Sequence, residues 1–170
     1  MYDIEINPPL ATVQKVLDRY PAIADKHLYA AMSQSVSNLE TQAKNLAPVF
    51  RGELRDSIFS EVRREVGSLR GLVSSKIQDR VYPQTMEFGR RAGAKMPPPG
   101  ALDEWVRVKL GVPERLVKRV AFLVGKKIST RGIKPKLFML RAWKAQRGNV
   151  QRLFEAALKN ISEEIARSIR

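Results

Sequence analysis

From Asp25 to about Ala47 the apolar residues Leu28, Met32, Val36, Leu39, Ala43 and Leu46 recur three and four apart, and Pro48 ends the run. A stripe of that period lies along one side of an α-helix. Proline stops it, because it lacks the backbone N–H and its ring clashes with the preceding turn. Beyond Gly52 the period falls to two. Ser57–Val66 reads as a strand with Ile58 and Val62 on one face, Gly67-Ser68-Leu69-Arg70-Gly71 as a turn, and Leu72–Ile77 as the second arm of a hairpin. A third strand is expected over Val81–Phe88, ending at Gly89. Helical period, then alternation, then helical period again predicts an α+β fold: a small antiparallel sheet packed by a long N-terminal helix and a C-terminal amphipathic helix.

The remaining segments fit around that frame. Tyr2–Ile6 alternates as a short strand would, and Pro9 opens a helix expected to reach Tyr20, with Pro21 as punctuation. Arg90–Gly100, with Pro97, Pro98 and Pro99 in a row, reads as an extended loop. Ala101–Leu110 reads as a short helix with Leu102, Trp105, Val106 and Leu110 apolar, and Gly111 caps it. Pro113 opens a helix over Glu114–Ile128, and Gly132 ends the turn after it. A short element over Pro135–Trp143 precedes a last helix from Asn149, striped by Val150, Leu153, Phe154, Ala157, Leu158, Ile161, Ile165 and Ile169. With 170 residues, the chain suits a single domain, 1–170, carrying a basic helical insert at 90–132.

Charge is distributed unevenly. Fourteen Lys or Arg and the single acid Glu114 fall between Trp105 and Phe154, so this stretch holds thirteen of the chain's fourteen net positive charges. Such a concentration implies a polyanionic or acidic neighbour. On the helix after Pro113, Arg115, Lys118, Arg119 and Lys126 share one face, while Leu116, Val117, Val120, Leu123, Val124 and Ile128 share the other. Phe122 falls within the basic arc, where an exposed aromatic is an interface anchor. No Glu stands between Arg115 and Lys126 to neutralise the arc. Lys127 sits nearer the apolar side, where it could snorkel. Arg131, Lys134 and Lys136 extend the cationic segment, and this set is the candidate contact for a partner or for DNA.

Catalytic chemistry has little to stand on. His27 is the sole histidine and has no serine or carboxylate at triad spacing. One His without Cys cannot hold zinc, and Asp3, Glu5, Asp103, Glu104, Glu163 and Glu164 are scattered, so no metal and no cofactor is expected. No Gly-rich loop leads into a Lys-Ser or Lys-Thr pair. The chain contains no Cys, which fits a reducing cytosol. Neither a signal peptide nor a membrane span is expected. Sequence-specific nucleic-acid reading lacks a helix-turn-helix, finger or stacking motif, whereas non-specific phosphate contact remains open.

Three segments carry a resemblance. Ala43–Ile58 places Ala47-Pro48-Val49 at a helix end, Gly52 two residues beyond Phe50, and Leu54-Arg55-Asp56-Ser57-Ile58 ahead of a strand. Tyr82 is followed by Glu87-Phe88-Gly89 at an expected strand end, and Ile133–Ala142 contains Pro135, Phe138 and Met139 before a closing amphipathic helix. In this order the segments resemble the minor tail component, or neck and tail-completion, family of long-tailed bacteriophages. The likeness covers about Leu28–Ile169, and 90–132 is where the chain is longer than the family's compact form.

The resemblance implies a virion structural protein without enzymatic activity. It implies a homo-oligomeric ring, expected as a hexamer, at the head–tail junction. The partners would be the head connector and the tail terminator or tube proteins, with DNA passing through the lumen, and assembly would occur in the host cytoplasm without membrane contact. A tail terminator or other minor tail protein is the near alternative. A non-specific nucleic-acid-binding protein, clamping phosphates with the Arg115/Lys118/Arg119/Lys126 face, is the alternative of another class.

Overall fold

The structure is a computed structural model and describes residues 4–6, 20–65, 68–77 and 81–168. The helix expected from Pro9 and the Val66-Gly67 step of the expected turn lie outside the described residues. The chain divides into two compact units, Met1–Gln78 with Phe138–Arg170, and Asp79–Leu137. The segment expected as an insert, 90–132, lies inside the second unit, whose limits are wider.

In the first unit, α1 spans Pro21–Leu46, β1 Ile4–Ile6, α2 Glu53–Ser57, β2 Ile58–Glu65 and β3 Ser68–Ser75. Pro21 begins α1 rather than preceding it, because its missing N–H would have had no intrahelical acceptor there. At the other end Ala47 turns extended, as a residue before proline must. The sheet is antiparallel in the order β1-β3-β2, with Ile58 opposite Ser75 and Glu65 opposite Ser68. Ser68–Gly71, expected in the turn, are therefore strand.

α1 contacts both the sheet and α6, which spans Phe138–Ser168. Toward the sheet, Met32 and Val36 press so closely on Gly71 that a Cβ there would stand 2.6 Å from both side chains. Ser60 donates to Glu40 at 2.6 Å, and Arg64 pairs with Asp25 at 3.0 Å while covering the Tyr29 ring. Burial raises the Glu40 carboxyl pKa, but hydrogen bonds from Lys44 and Ser60 outweigh it and hold the carboxyl below its ordinary value. Toward α6, Lys26 and His27 near the start of α1 meet Glu164 near the end of α6, so the two helices run antiparallel. Ala24, Leu28, Ala31, Met32, Val36, Leu39 and Ala43 are buried on α1. Phe138, Met139, Ala142, Val150, Phe154, Ala157 and Ile161 are buried on α6. Each large side chain among them contributes about 1.5–3 kcal/mol by leaving water.

α6 is one helix, not a short element followed by another. Gly148, just before the Asn149 at which the last helix was expected to start, is exposed and costs only about 1 kcal/mol relative to alanine. Burial at Ala142 before it and Val150 after it keeps the helix continuous.

The second unit opens with α3, Val81–Phe88, where a third strand was expected. Pro83 explains the difference. In the first helical turn its absent N–H costs nothing, whereas in a strand it removes a ladder bond. Gly89 N–H donates to Thr85 O at 2.9 Å, and the carbonyls of Met86 and Glu87, left over at the helix end, accept from Lys136 and Leu137 N–H at 2.9 and 3.0 Å. Arg90 and Ile133 exchange two backbone hydrogen bonds at 2.9 and 2.8 Å. Gly89 and Gly132 flank this crossing at φ +73° each, and a Cβ on either would strike backbone oxygen, Ile133 O at 2.3 Å and Arg90 O at 2.2 Å. No side chain larger than hydrogen fits there. α4, Asp103–Leu110, and α5, Glu114–Arg131, complete the unit.

Candidate interaction surface

α4 and α5 pack through Val106, Val117 and Ala121, with Leu102, Trp105, Val112, Val120 and Val124 closing around them. Val117, Ala121 and Gly125 form the buried line of α5, four residues apart. That line is narrower than the apolar face read from the sequence. Leu116 and Leu123 belong to that face by period, yet they are 38% and 55% exposed, because α4 and the loop before it cover only the 117–121–125 edge.

The opposite arc carries Arg115, Lys118, Arg119 and Lys126, all exposed, and Phe122 stands among them 57% exposed. Lys127 is exposed as well. Glu114 does stand four residues before Lys118, but its carboxylate is taken by Arg107, whose Nε and Nη2 donate to it at 2.7 and 2.8 Å. The hydrogen bonds from Arg107, followed by its charge, hold the Glu114 carboxyl below its ordinary pKa, and the same contacts raise the Arg107 guanidinium. The one acid of the basic stretch is thus occupied. Among the described residues none of Arg115, Lys118, Arg119, Lys126, Arg131, Lys134 and Lys136 makes an ion pair.

Arg131 lies in the last turn of α5, where its charge complements the helix dipole. Lys134 and Lys136 lie on the exposed segment that returns beside α3, away from the α5 arc. The sequence grouped all eight contact residues; the structure gathers five of them on one helical face.

The loop before α4 lies along this face. Ser129 Oγ donates to Ala94 O at 2.6 Å and Gly93 N–H to Ser129 O at 2.7 Å, pinning the loop to the end of α5. Met96 comes down on Gly125, where a Cβ would meet its Cγ at 3.1 Å. Between them opens a groove of about 470 Å³ lined by Met96, Pro97, Pro98, Pro99, Leu102 and Asp103 on one side and Lys118, Ala121 and Phe122 on the other. The sequence showed the prolines only as a loop. Met96 and Asp103 were missed as site residues, since nothing local says which helix a proline run will lie against.

The segments that carry the resemblance sit at chain junctions. Pro48 follows α1, Gly52 caps α2 at φ +86°, Leu54 is buried, and Arg55 pairs with neighbouring Asp56 at 3.0 Å. Tyr82 is half-buried, Glu87 buried and Phe88 exposed on α3; Pro135 is exposed and Phe138 buried. Gly89 and Pro135, far apart in sequence, meet: a Cβ on Gly89 would stand 2.8 Å from Pro135 N.

No family model, curated protein or solved structure matches this chain. Among the described residues no group of three or more His, Asp or Glu could hold a metal ion, and no helix is long and apolar enough to cross a membrane. His27, in the first unit, faces Glu164 through Nε2 at 2.6 Å, and Lys26 Nζ reaches the same carboxylate at 3.0 Å. Those hydrogen bonds, His27 first, hold the Glu164 carboxyl below its ordinary pKa.

Proposed function

We propose that this chain is a non-enzymatic structural protein of the head–tail junction of a long-tailed bacteriophage. It assembles as a ring that joins the head connector to the tail terminator or tube and lets DNA pass. The observation that carries this reading is the meeting of two of the resembling segments. Glu87-Phe88-Gly89 and Ile133–Leu137 are joined by the Arg90–Ile133 bridge and by the bonds to Met86 O and Glu87 O. Residues that form one junction give the likeness a structural reason, beyond a string of separate matches. The exposed cations of α5 support the docking half of the proposal, as a face suited to an acidic neighbouring ring or to the phosphates of passing DNA.

The same cations favour a second reading, a non-specific nucleic-acid-binding protein. One pair of substitutions separates the two. Lys118→Glu with Arg119→Glu changes two exposed side chains and is expected to leave the fold intact while blocking head–tail joining, seen by electron microscopy as filled heads without tails. Normal tails on filled heads would sink the docking role. Tight duplex binding by the unaltered protein, with affinity falling steeply as salt rises and no association with connector or terminator subunits, would favour the second reading.

A further inference from the structure

The groove beside α5 has a composition that charge alone does not explain. Its floor and loop wall are apolar, built from Met96, the prolines, Leu102 and Ala121, and Phe122 stands at its lip with more than half its surface in water. Lys118 lines the groove on the helix side, and Arg115, Arg119 and Lys126 share the arc around Phe122. None of these four cations makes an ion pair among the described residues; Lys118 feels the Glu114 charge, but Arg107 holds that carboxylate. The loop wall is fixed to α5 through Ser129, so a ligand would meet a groove already formed and would lose little affinity to ordering it.

We propose that this groove docks an extended, acidic segment of a partner protein. An apolar side chain of that segment packs between Phe122 and Met96, and its flanking carboxylates meet Lys118, Arg115, Arg119 and Lys126. The proposal takes from the head–tail reading only that the partner is a protein; the chemistry of the groove stands apart from it. The apolar lining decides for peptide over nucleic acid. A duplex backbone has nothing to bury against proline and methionine, whereas a peptide brings apolar side chains between its carboxylates. An aromatic amid cations, bordered by an apolar cleft, has the anatomy of an interface hot spot.

The test uses the full chain and fluorescence anisotropy with defined probes. The first is a fluorescein-labelled peptide with a Leu-Phe pair between runs of glutamate; the second replaces Leu-Phe by Ser-Ser. Labelled duplex and single-stranded oligonucleotides complete the set. The first peptide is expected to bind saturably and roughly tenfold tighter than the second. Phe122→Ser should weaken the first by about tenfold and leave the second unchanged, whereas Lys118→Glu should weaken both by about tenfold. Both positions are exposed, and unchanged circular dichroism and Trp105 fluorescence would verify that the variants fold. Equal binding of the two peptides with no effect of Phe122→Ser would overturn the proposal, leaving a merely charged surface. So would an absence of saturable peptide binding, or tighter, Phe122-dependent binding of an oligonucleotide. Peptide binding by a protein dispensable for tail attachment would sink the head–tail reading and keep the groove. A protein required for attachment that binds neither peptide would do the reverse.

Discussion

Replacing Gly89 with alanine probes the crossing that holds the second unit's ends together. Two costs add. An L-residue at φ +73° costs about 1–2 kcal/mol. The new Cβ would also stand 2.3 Å from Ile133 O and 2.8 Å from Pro135 N, both backbone atoms that cannot rotate aside. The strands of the crossing must part, and the two Arg90–Ile133 hydrogen bonds, at 2.9 and 2.8 Å, are each worth about 1 kcal/mol net. The expected loss is therefore about 3–4 kcal/mol. Gly93→Ala is the control: its φ is +78°, but nothing lies within 4 Å of the added Cβ, so only the backbone strain of about 1–2 kcal/mol applies. The chain has two tryptophans, Trp105 in the second unit and Trp143 in the first. In a Trp143→Phe background, urea unfolding followed by Trp105 fluorescence reports on the unit in question. Equal costs for the two substitutions, or a loss below about 1 kcal/mol at Gly89, would refute the close-approach argument.

Further expectations concern the first unit. Gly148→Ala should stabilise it by about 0.5–1 kcal/mol, because Gly148 is exposed within a continuous helix and alanine restricts the unfolded chain; urea unfolding read through Trp143 measures it. A loss of stability there would mean that the helix bends at Gly148. The depressed Glu164 carboxyl favours the charged, folded state. Its contribution is complete above the unfolded-state pKa near 4.5 and is lost as pH falls through the lower folded value. Glu164→Gln should remove that part of the acid limb, making melting temperature less sensitive to pH below about 4.5. An unchanged slope would show that the His27 and Lys26 contacts do not persist in solution.

Punctuation residues made much of the fold legible. Pro48 marked the end of α1, Gly111 and Pro113 the break between α4 and α5, and the alternation around Ile58 and Val62 the hairpin. Each acts within a few residues of itself. The misreadings share one cause, which is that the deciding interaction came from afar. Val81–Phe88 became a helix whose terminal carbonyls are satisfied by Lys136 and Leu137, residues some fifty positions on. Gly148 did not interrupt α6, because burial on both sides outweighed a local preference of about 1 kcal/mol.

The candidate surface divides in the same way. Helical period and composition sufficed to place Arg115, Lys118, Arg119, Phe122 and Lys126 on one face, since side-chain direction on a helix repeats every 3.6 residues. They could not show that Leu116 and Leu123 stay in water, that Arg107 occupies Glu114, or that Met96 and the prolines wall a groove beside Phe122. Local pattern determined the faces of the helices. Packing between segments distant in the chain decided which faces are covered, which charges are spent, and where a partner's side chain could enter.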